Sequence, residues 1–155
     1  MTARFTRLSE SDWRVFAVIR LRALTDSLGE SDPQYRKEVT FTAAQWRRRL
    51  RDHAQFAALI GDRPVGLIAA QQENPDSVYL YSLWLDPAAR GRGLARPLVA
   101  TAVDWARDQR VQTVTLRVAA DNVAARVVYE SLGFTATTAE IPGPGDEVAM
   151  TLSVK

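Results

Sequence analysis

One stretch of the sequence decides the fold, residues 83–96: Leu83-Trp84-Leu85-Asp86-Pro87-Ala88-Ala89-Arg90-Gly91-Arg92-Gly93-Leu94-Ala95-Arg96. The run 79–85 predicts a buried strand, because aromatic and leucine side chains fill both of its faces. Asp86 and Pro87 end the strand, since proline cannot donate a hydrogen bond to a neighbouring strand. After the glycine-rich turn, a helical pattern begins, with apolar or small residues on one side at Leu94, Leu98, Thr101, Ala102 and Trp105.

The turn between this strand and this helix has the composition of an anion-binding site. Gly91 and Gly93 allow close backbone approach and unusual dihedral angles, and the N–H groups at a helix N-terminus attract negative charge. Arg90, Arg92 and Arg96 add forked donors that match phosphate oxygens. We therefore expect the turn to bind a pyrophosphate. It is not a Walker loop or a dinucleotide fingerprint, because the first lacks its Lys-Ser/Thr pair and the second its third glycine.

Composition limits the classes of protein and of chemistry. The 155 residues suit a single domain spanning 1–155, and the 46% hydrophobic and 25% charged content is ordinary for a globular protein. There is no cysteine and one histidine, His53, which excludes a disulfide, a thiol nucleophile and a histidine cluster for a metal. With no apolar run long enough for a membrane span and no signal-peptide pattern, we expect a cytoplasmic protein without a metal.

The remaining segments predict alternating strands and helices. Expected strands cover 3–8, 55–60, 65–70, 79–85, 111–118, 134–137 and 147–154, and the pair 55–60 and 65–70 forms a hairpin around a turn at 61–64. Expected helices run from the caps at 9–12 to about residue 26, from a cap at Thr42 through Leu50, from Leu94 to about Arg110, and over 123–131. Residues 27–40 form a polar loop or a partly helical excursion. The helix before 111–118 makes that strand a parallel neighbour of 79–85.

Two motifs resemble those of the GNAT superfamily of N-acetyltransferases. The acyl-CoA-binding motif of that superfamily, Gln/Arg-x-x-Gly-x-Gly/Ala, is matched at Arg90, Gly93 and Ala95. Its second signature, Asn-x-x-Ala-x-x-x-Tyr-x-x-x-Gly-Phe, is matched at Asn122, Ala125, Tyr129, Gly133 and Phe134. One helix and one strand separate the two motifs, as in the family. The resemblance implies an α/β (α+β) fold: a mixed central sheet with an antiparallel N-terminal half, a splayed parallel pair of strands, and flanking helices.

The resemblance also implies roles for individual residues in a direct acetyl transfer from acetyl-CoA to an amine. Arg90 and the backbone of Gly91, Arg92, Gly93, Leu94, Ala95 and Arg96 would hold the CoA pyrophosphate. The backbone of Leu83, Trp84 and Leu85 would pair with the pantetheine arm, with the Leu85 N–H polarising the thioester carbonyl. Asn122 would bond the same arm, and Tyr129 would protonate the departing thiolate as general acid.

The proton acceptor and the acceptor substrate are less determined. Some relatives use a glutamate on the strand after the long helix, where this chain has Arg117, which leaves Glu73, Asp76 and Tyr81 as substitutes. The acceptor groove is expected from the segments 27–40, 74–75 and 141–146. Carboxylates in or beside these segments favour a cationic amine: Glu30, Asp32, Glu38, Glu140, Asp146 and Glu147. Trp13, Tyr35 and Phe41 are candidates for apolar walls. A polyamine, an amino acid, an antibiotic and a protein N-terminus all remain open as acceptors.

Two other functions compete with the transferase. The first is a non-catalytic acyl-CoA sensor, supported by the missing glutamate and opposed by Tyr129. The second is a nucleotide- or nucleic-acid-binding module that uses the arginines, including the run 47–51, although that run has the pattern of a solvated helix face without interleaved aromatic residues. We expect neither a nucleic-acid nor a membrane partner, and the apolar alternation of the last strand permits a homodimer.

Overall fold

The computed structural model describes residues 2–137, 143 and 145–155, and these contain seven strands. The strands are β1 (Ala3–Arg7), β2 (Ala54–Ile60), β3 (Arg63–Asn74), β4 (Ser77–Leu85), β5 (Thr113–Ala119), β6 (Thr135–Ala136) and β7 (Glu147–Ser153). They form a single sheet in the order β1-β2-β3-β4-β5-β7-β6. The pairing of β4 with β5 is parallel and the other pairings are antiparallel. The predicted fold, including its antiparallel N-terminal half and its parallel pair, is confirmed.

The same ranges contain five α-helices. They are α1 (Trp13–Ser27), α2 (Pro33–Glu38), α3 (Ala43–Asp52), α4 (Ala95–Asp108) and α5 (Val123–Ser131). Short 3₁₀ turns at Glu10–Asp12 and Pro87–Ala89 precede α1 and follow β4. None of the described helices has both the length and the apolar composition that crossing a bilayer demands.

The two faces of the sheet carry separate hydrophobic cores. On one face, Phe16 and Ile19 of α1 and Trp46 of α3 pack with Leu67 of the sheet. On the other face, α4 contributes buried Leu98, Val99 and Ala102, which pack with strand residues such as Ile68 and Val78. We call these the α1/α3 core and the α4 core. β4 lies between the two cores. A residue that changes the twist of β4 therefore also changes which side chains of this strand pack into each core.

Capping and turn residues explain where several of the helices and strands begin and end. Thr42 and Gln45 form a reciprocal capping box at the start of α3, with N–O distances of 3.2 and 2.8 Å. Asn122 caps α5 by accepting a hydrogen bond from the Ala125 N–H at 3.2 Å. Gly133 ends that region with a φ of 101°, which glycine adopts without strain. The hairpin turn is shorter than predicted, because β3 begins at Arg63 and leaves two residues between the strands.

Candidate active site

Strand β4 carries a bulge at Ser82, in the middle of the sheet. Ser82 has a φ of 58°, in the left-handed region that non-glycine residues seldom adopt. The register of β3 and β4 shifts at this point, so that Ser82 and Leu83 together lie opposite Ile68. The alternation of β4 is therefore displaced by one residue, and both Leu80 and Leu83 contact the α4 core. The extra residue makes the backbone of β4 irregular at Ser82, and the two cavities described below both border this residue.

The first cavity lies where β4 and β5 diverge. The two strands pair from Ser77 opposite Thr113 to Tyr79 opposite Thr115, and within these fully described strands the pairing stops there. Since β5 continues along β7, the later part of β4 presents an open edge to a gap. This gap cavity has a volume of about 240 Å³ and is lined by Ile68, Leu80, Tyr81, Ser82, Leu83, Arg117, Val118, Ala119, Asn122, Ala125 and Tyr129. An unpaired strand edge can bind an extended, amide-containing chain as a further strand would.

The aromatic side chain of Tyr129, in α5, forms part of the wall of the gap cavity. The side chain is buried and packs edge-on against Phe134, with ring centroids 5.9 Å apart. Burial, with a smaller contribution from nearby Tyr79, raises the pKa of Tyr129 to about 12. No hydrogen bond joins its hydroxyl to another described residue. A hydroxyl that stays protonated at neutral pH and has no protein partner is suited to donate a proton to a bound group.

The residues of β4 and α5 that are predicted to bind the cofactor lie on both faces of the sheet. Leu83 and Asn122 line the gap cavity, and Asn122 uses its side-chain oxygen for the α5 cap, which leaves its amide N–H₂ without an acceptor among the described residues. Leu85 packs against the α4 core. The Trp84 side chain lies on the opposite face, in the α1/α3 core, and its indole N–H donates to Asp26 at 2.9 Å.

The glycine-rich turn presents an array of free backbone donors. Gly91 and Gly93 have φ values of 78° and 72°, and an added Cβ at either would meet no atom within 4 Å, so dihedral strain rather than space selects glycine here. Across the described residues, no group accepts a hydrogen bond from the backbone N–H groups that begin α4 and precede it, namely those of Gly91, Arg92, Gly93, Leu94, Ala95 and Arg96. This geometry suits a pyrophosphate.

Two of the three arginines of the turn are engaged in contacts within the protein. Arg90 donates to Asp26 at 2.8 Å and to the Leu85 carbonyl at 3.0 Å, which fixes the turn to α1 and to the end of β4. Arg96 donates to the Ser131 hydroxyl at 3.2 Å and so joins α4 to α5. The backbone N–H of Arg90 donates to the Pro87 carbonyl at 3.4 Å, so in this structure Arg90 positions the turn and the free donors begin at Gly91.

We expect Gly93→Ala to weaken acetyl-CoA binding by roughly tenfold, because the free turn of the variant relaxes out of the left-handed region and its return on binding costs about 1–2 kcal/mol. The change is measured as the Kd for acetyl-CoA in a calorimetric titration. Gly29→Ala is the matched control, since Gly29 has a φ of 87°, has equal space around it and lies in the loop after α1. Equal Kd values for the two variants would show that the turn does not bind the cofactor.

The second cavity lies on the α1/α3 side of β4 and has a volume of about 570 Å³. We call it the helix-side cavity. It shares Tyr81 and Ser82 with the gap cavity, so the two cavities meet at the bulge. The other lining residues come from α1, α2, α3, the connections on either side of α3 and the neighbouring strands: Phe16, Arg20, Lys37, Phe41, Gln45, Arg48, Arg49, Asp52, His53, Gln55 and Ala69.

His53 and Tyr81 form a pair at the meeting point of the cavities. His53 Nδ1 and the Tyr81 hydroxyl are hydrogen bonded, and the two rings meet edge-on at 5.7 Å. Sheet register explains the contact: Gln55, Ala69 and Tyr81 are aligned across three strands, and His53 lies two residues before Gln55, on the same face. Burial raises the pKa of Tyr81, partly offset by a hydrogen bond with Gln55 and by the charges of Arg49 and Arg20. The Tyr81 hydroxyl therefore stays protonated at neutral pH.

The sequence identified Tyr81 as a substitute base but missed His53. A lone histidine between a helix and a strand carries no recognisable spacing, and its partner is 28 residues away in the chain. The position of His53 two residues before Gln55 gives a signal, since residues i and i+2 of an extended segment lie on one face. Glu73 and Asp76, the other two substitutes, line neither cavity. Arg117 lines the gap cavity and pairs with Glu147 at 3.4 Å.

The predicted acidic groove is not what the structure shows around the helix-side cavity. Glu38 is fully buried and forms ion pairs with Arg20 at 3.0 Å and with Arg49 at 3.1 Å. Asp32 caps α2 by accepting from the Gln34 N–H, and the exposed Glu30 does not line the cavity. Of the predicted aromatic walls, Phe41 lines this cavity, Trp13 packs on the α1/α3 core, and Tyr35 lies beside a separate depression near Trp84. Glu140 and residues 141, 142 and 144 lie outside the described residues.

Glu38 is expected to be a large contributor to stability. Burial pushes its pKa up, but hydrogen bonds from Arg20 and Gln34 and the charges of Arg20 and Arg49 outweigh this and lower the pKa below its ordinary value. Glu38→Gln leaves two arginines without their buried partner, so we expect the free energy of unfolding to fall by about 3–5 kcal/mol. Urea unfolding at pH 7 measures the change, with Glu30→Gln as an exposed control expected to shift it by less than about 0.5 kcal/mol.

The stabilisation of the fold by these ion pairs should decrease on acidification, because the pKa of Glu38 is lowered in the folded chain. Because the pKa of Glu38 is lower in the folded than in the unfolded chain, its stabilisation is present above the ordinary glutamate pKa and is lost as the pH falls through the folded value. The stability gap between wild type and Glu38→Gln should therefore narrow on acidification. A gap that stays constant from pH 7 to pH 3 would contradict the assigned ion pairs.

Comparison with known proteins identifies relatives of the chain. Residues 18–134 match the model of the acetyltransferase (GNAT) family. The chain is 40% identical over 76 residues to the mycothiol acetyltransferase of Rhodococcus erythropolis strain PR4, which covers 49% of this chain and 25% of that protein. It is 35% identical over 101 residues to the [ribosomal protein bS18]-alanine N-acetyltransferase of Salmonella typhimurium strain LT2, covering 65% of each. The chain thus spans about a quarter of the first relative and about two thirds of the second.

A solved structure extends the likeness to the whole fold. The PaiA N-acetyltransferase of Thermoplasma acidophilum, crystallised with coenzyme A, superposes with a TM-score of 0.72, at 15% identity and with 99% of each chain covered. At that identity the likeness concerns the fold.

Proposed function

The chain belongs to the acetyltransferase (GNAT) family, and we propose that residues 1–155 act as a single domain that transfers the acetyl group of acetyl-CoA directly to an amine. The observation that carries this proposal is the meeting of two cavities at the Ser82 bulge. One contains a protonated tyrosine beside an open strand edge, and the other contains a histidine–tyrosine pair. Donor and acceptor can thus approach one reaction centre from opposite faces of β4.

Donor binding would use the residues that the motifs identify. The free N–H groups of residues 91–96 would bind the pyrophosphate, and the open edge of β4 with the Asn122 amide would bind the pantetheine arm. Acetyl-CoA supplies the acetyl group as an activated thioester. The Asp86 N–H donates to the Val65 carbonyl of β3, so in an extended strand the preceding Leu85 N–H faces the other edge, toward the gap. There it would stabilise the oxyanion that develops on the acetyl carbonyl.

Proton transfer would follow from the two hydroxyls. An alkylamine is mostly protonated at neutral pH, so it must lose a proton before or during attack. Tyr81 keeps its own proton and is a poor terminal base, but it can accept the amine proton while passing its own to His53 Nδ1. The amine nitrogen then bonds to the acetyl carbon as the carbon–sulfur bond breaks. Tyr129 gives its proton to the thiolate and regains one from solvent. The nitrogen of the new amide releases its second proton to solvent, and His53 then releases the proton that it accepted, so the net reaction frees one proton.

Release of free CoA thiol over a panel of amines tests the proposal. The chain contains no cysteine, so the protein itself gives no background in a thiol assay. We expect amine-dependent thiol release and saturable binding of acetyl-CoA that neither ADP nor duplex DNA matches. Tight acetyl-CoA binding without turnover on any amine would instead favour an acyl-CoA sensor. Binding of DNA that weakens steeply with salt would favour a nucleic-acid module.

A further inference from the structure

Four cationic side chains converge on the helix-side cavity, which the proposed function assigns to the acceptor. They are Arg20, Lys37, Arg48 and Arg49, and the carboxylates that offset them are Asp52 in the cavity wall and Glu38 buried behind it. The cavity therefore has an excess of positive charge. A positively charged, partly enclosed cavity attracts anions and disfavours ligands with additional cationic groups.

Glu38 orients two of these arginines without using all of their donors. Arg20 binds Glu38 through Nε and Nη2 and approaches the Ser82 hydroxyl through Nη1 at 3.5 Å. Arg49 binds Glu38 through Nη1 alone, and among the described residues nothing accepts a hydrogen bond from its Nε or Nη2. Its guanidinium also lies over the Phe41 ring, 5.3 Å from the centroid. Arg49 is thus held in place with free donors for a bidentate contact to an anion.

The anion-binding groups lie close to the pair that would take the amine proton. His53 follows α3 in extended backbone, its N–H donates to the Arg49 carbonyl at 3.1 Å, and the side chains of both residues line the helix-side cavity. Arg20 reaches Ser82, which borders both cavities. Tyr81 and Arg49 line the same cavity, whose volume of about 570 Å³ is of the size that holds small molecules.

We propose that the acceptor is a small amine that also carries an anionic group, a carboxylate or a phosphate, and that Arg49, assisted by Lys37 and Arg48, binds this group. The proposal rests on the proposed transferase function and specifies its substrate class. It replaces the cationic acceptor that the acidic segments of the sequence favoured. The acetylated product would keep the anion and lose the positive charge of the amine.

Matched amine pairs test the proposal through kcat/KM in the thiol-release assay. The phosphate arm compares phosphoethanolamine with ethanolamine, and the carboxylate arm compares several α-amino acids with their amides. In at least one arm we expect kcat/KM to be about tenfold or more higher for the anionic amine than for its matched partner. The reason is that a charged hydrogen bond contributes more than a neutral one. Amidation makes the amine less basic and so more available at neutral pH, which works against the expected preference. The arm with the larger ratio identifies the anion.

Variants then locate the anion site. Arg49→Gln and Lys37→Gln should bring the rate ratio of each pair toward one, and Lys37 serves as the second variant because none of the described carboxylates pairs with it. Arg47→Gln and Lys155→Gln are the matched controls, since Arg47 lies over Trp13 on another side of α3 and Lys155 is the other lysine of the chain. The controls should keep the wild-type ratio.

The outcomes separate the two proposals. Equal or faster turnover of the neutral or polycationic amines would overturn the anionic acceptor and leave the transferase in place. A wild-type ratio retained in both Arg49→Gln and Lys37→Gln would overturn the assigned site. Failure of every amine, charged or neutral, in the presence of bound acetyl-CoA would overturn the transferase and the acceptor class together.

Discussion

Replacing Tyr129 by phenylalanine should lower kcat by about 10²- to 10⁴-fold, the range associated with loss of a general acid. The hydroxyl is buried beside the gap cavity, and the raised pKa of Tyr129, about 12, keeps it protonated wherever the enzyme is active. Phenylalanine preserves the edge-on contact with Phe134, so the fold and the cavity should be retained. Steady-state thiol release measures kcat, and a calorimetric titration measures the Kd for acetyl-CoA.

The pattern of effects distinguishes a catalytic role from a packing role. We expect kcat to fall while the Kd for acetyl-CoA and the urea midpoint stay near their wild-type values. Tyr35→Phe is the control, because Tyr35 lies beside the depression near Trp84 and lines neither cavity of the site. A Tyr129→Phe enzyme with wild-type kcat would exclude Tyr129 as the proton donor. Activity that declined with pH near 10, at the ordinary tyrosine pKa, would also conflict with the raised pKa of this residue.

Replacing His53 by glutamine should also lower kcat by about 10²- to 10⁴-fold, since glutamine can bond Tyr81 but cannot take up a proton. Steady-state thiol release across a range of pH measures the activity of both enzymes. In His53→Gln, residual activity should rise only at higher pH, where the amine itself loses its proton.

A double variant tests whether His53 and Tyr81 act as a unit. If the proton passes through both, His53→Gln combined with Tyr81→Phe should be no slower than the slower single variant, because removing either member already interrupts the transfer. Effects that multiply would mean that the two side chains contribute separately. A His53→Gln enzyme with the wild-type pH profile would remove histidine from the mechanism.

Local sequence signals were sufficient for most of the fold. The strand 79–85, the cap at Asn122 and the glycine at 133 each lie where periodicity and capping chemistry placed them. The parallel pairing of β4 with β5 followed from the intervening helix, and the gap between the strands followed from the family resemblance. These features depend on neighbouring residues or on a motif, so the sequence alone could reveal them.

The residues around the helix-side cavity could not be predicted from the sequence in the same way. Glu38 lies in a polar segment and has the appearance of a surface acid, yet the packing of α1, α2 and α3 buries it between two arginines. Arg48 and Arg49 belong to a run that predicts a solvated face, and whether such a face borders a cavity depends on how α3 is placed against the sheet. The contact of His53 with Tyr81 depends on the register of three strands. None of these relations has a periodicity or spacing in the chain.

The most direct measurement is a single-turnover reaction, with protein in excess over acetyl-CoA and an accepted amine present, in which free thiol, acetylated amine and the mass of the protein are followed together. Transfer across the bulge of β4 predicts that thiol and acetylated amine appear at the same rate and in equal amounts, with the protein mass unchanged throughout. Thiol release that precedes product, with an acetyl group accumulating on the protein, would contradict direct transfer between the two cavities.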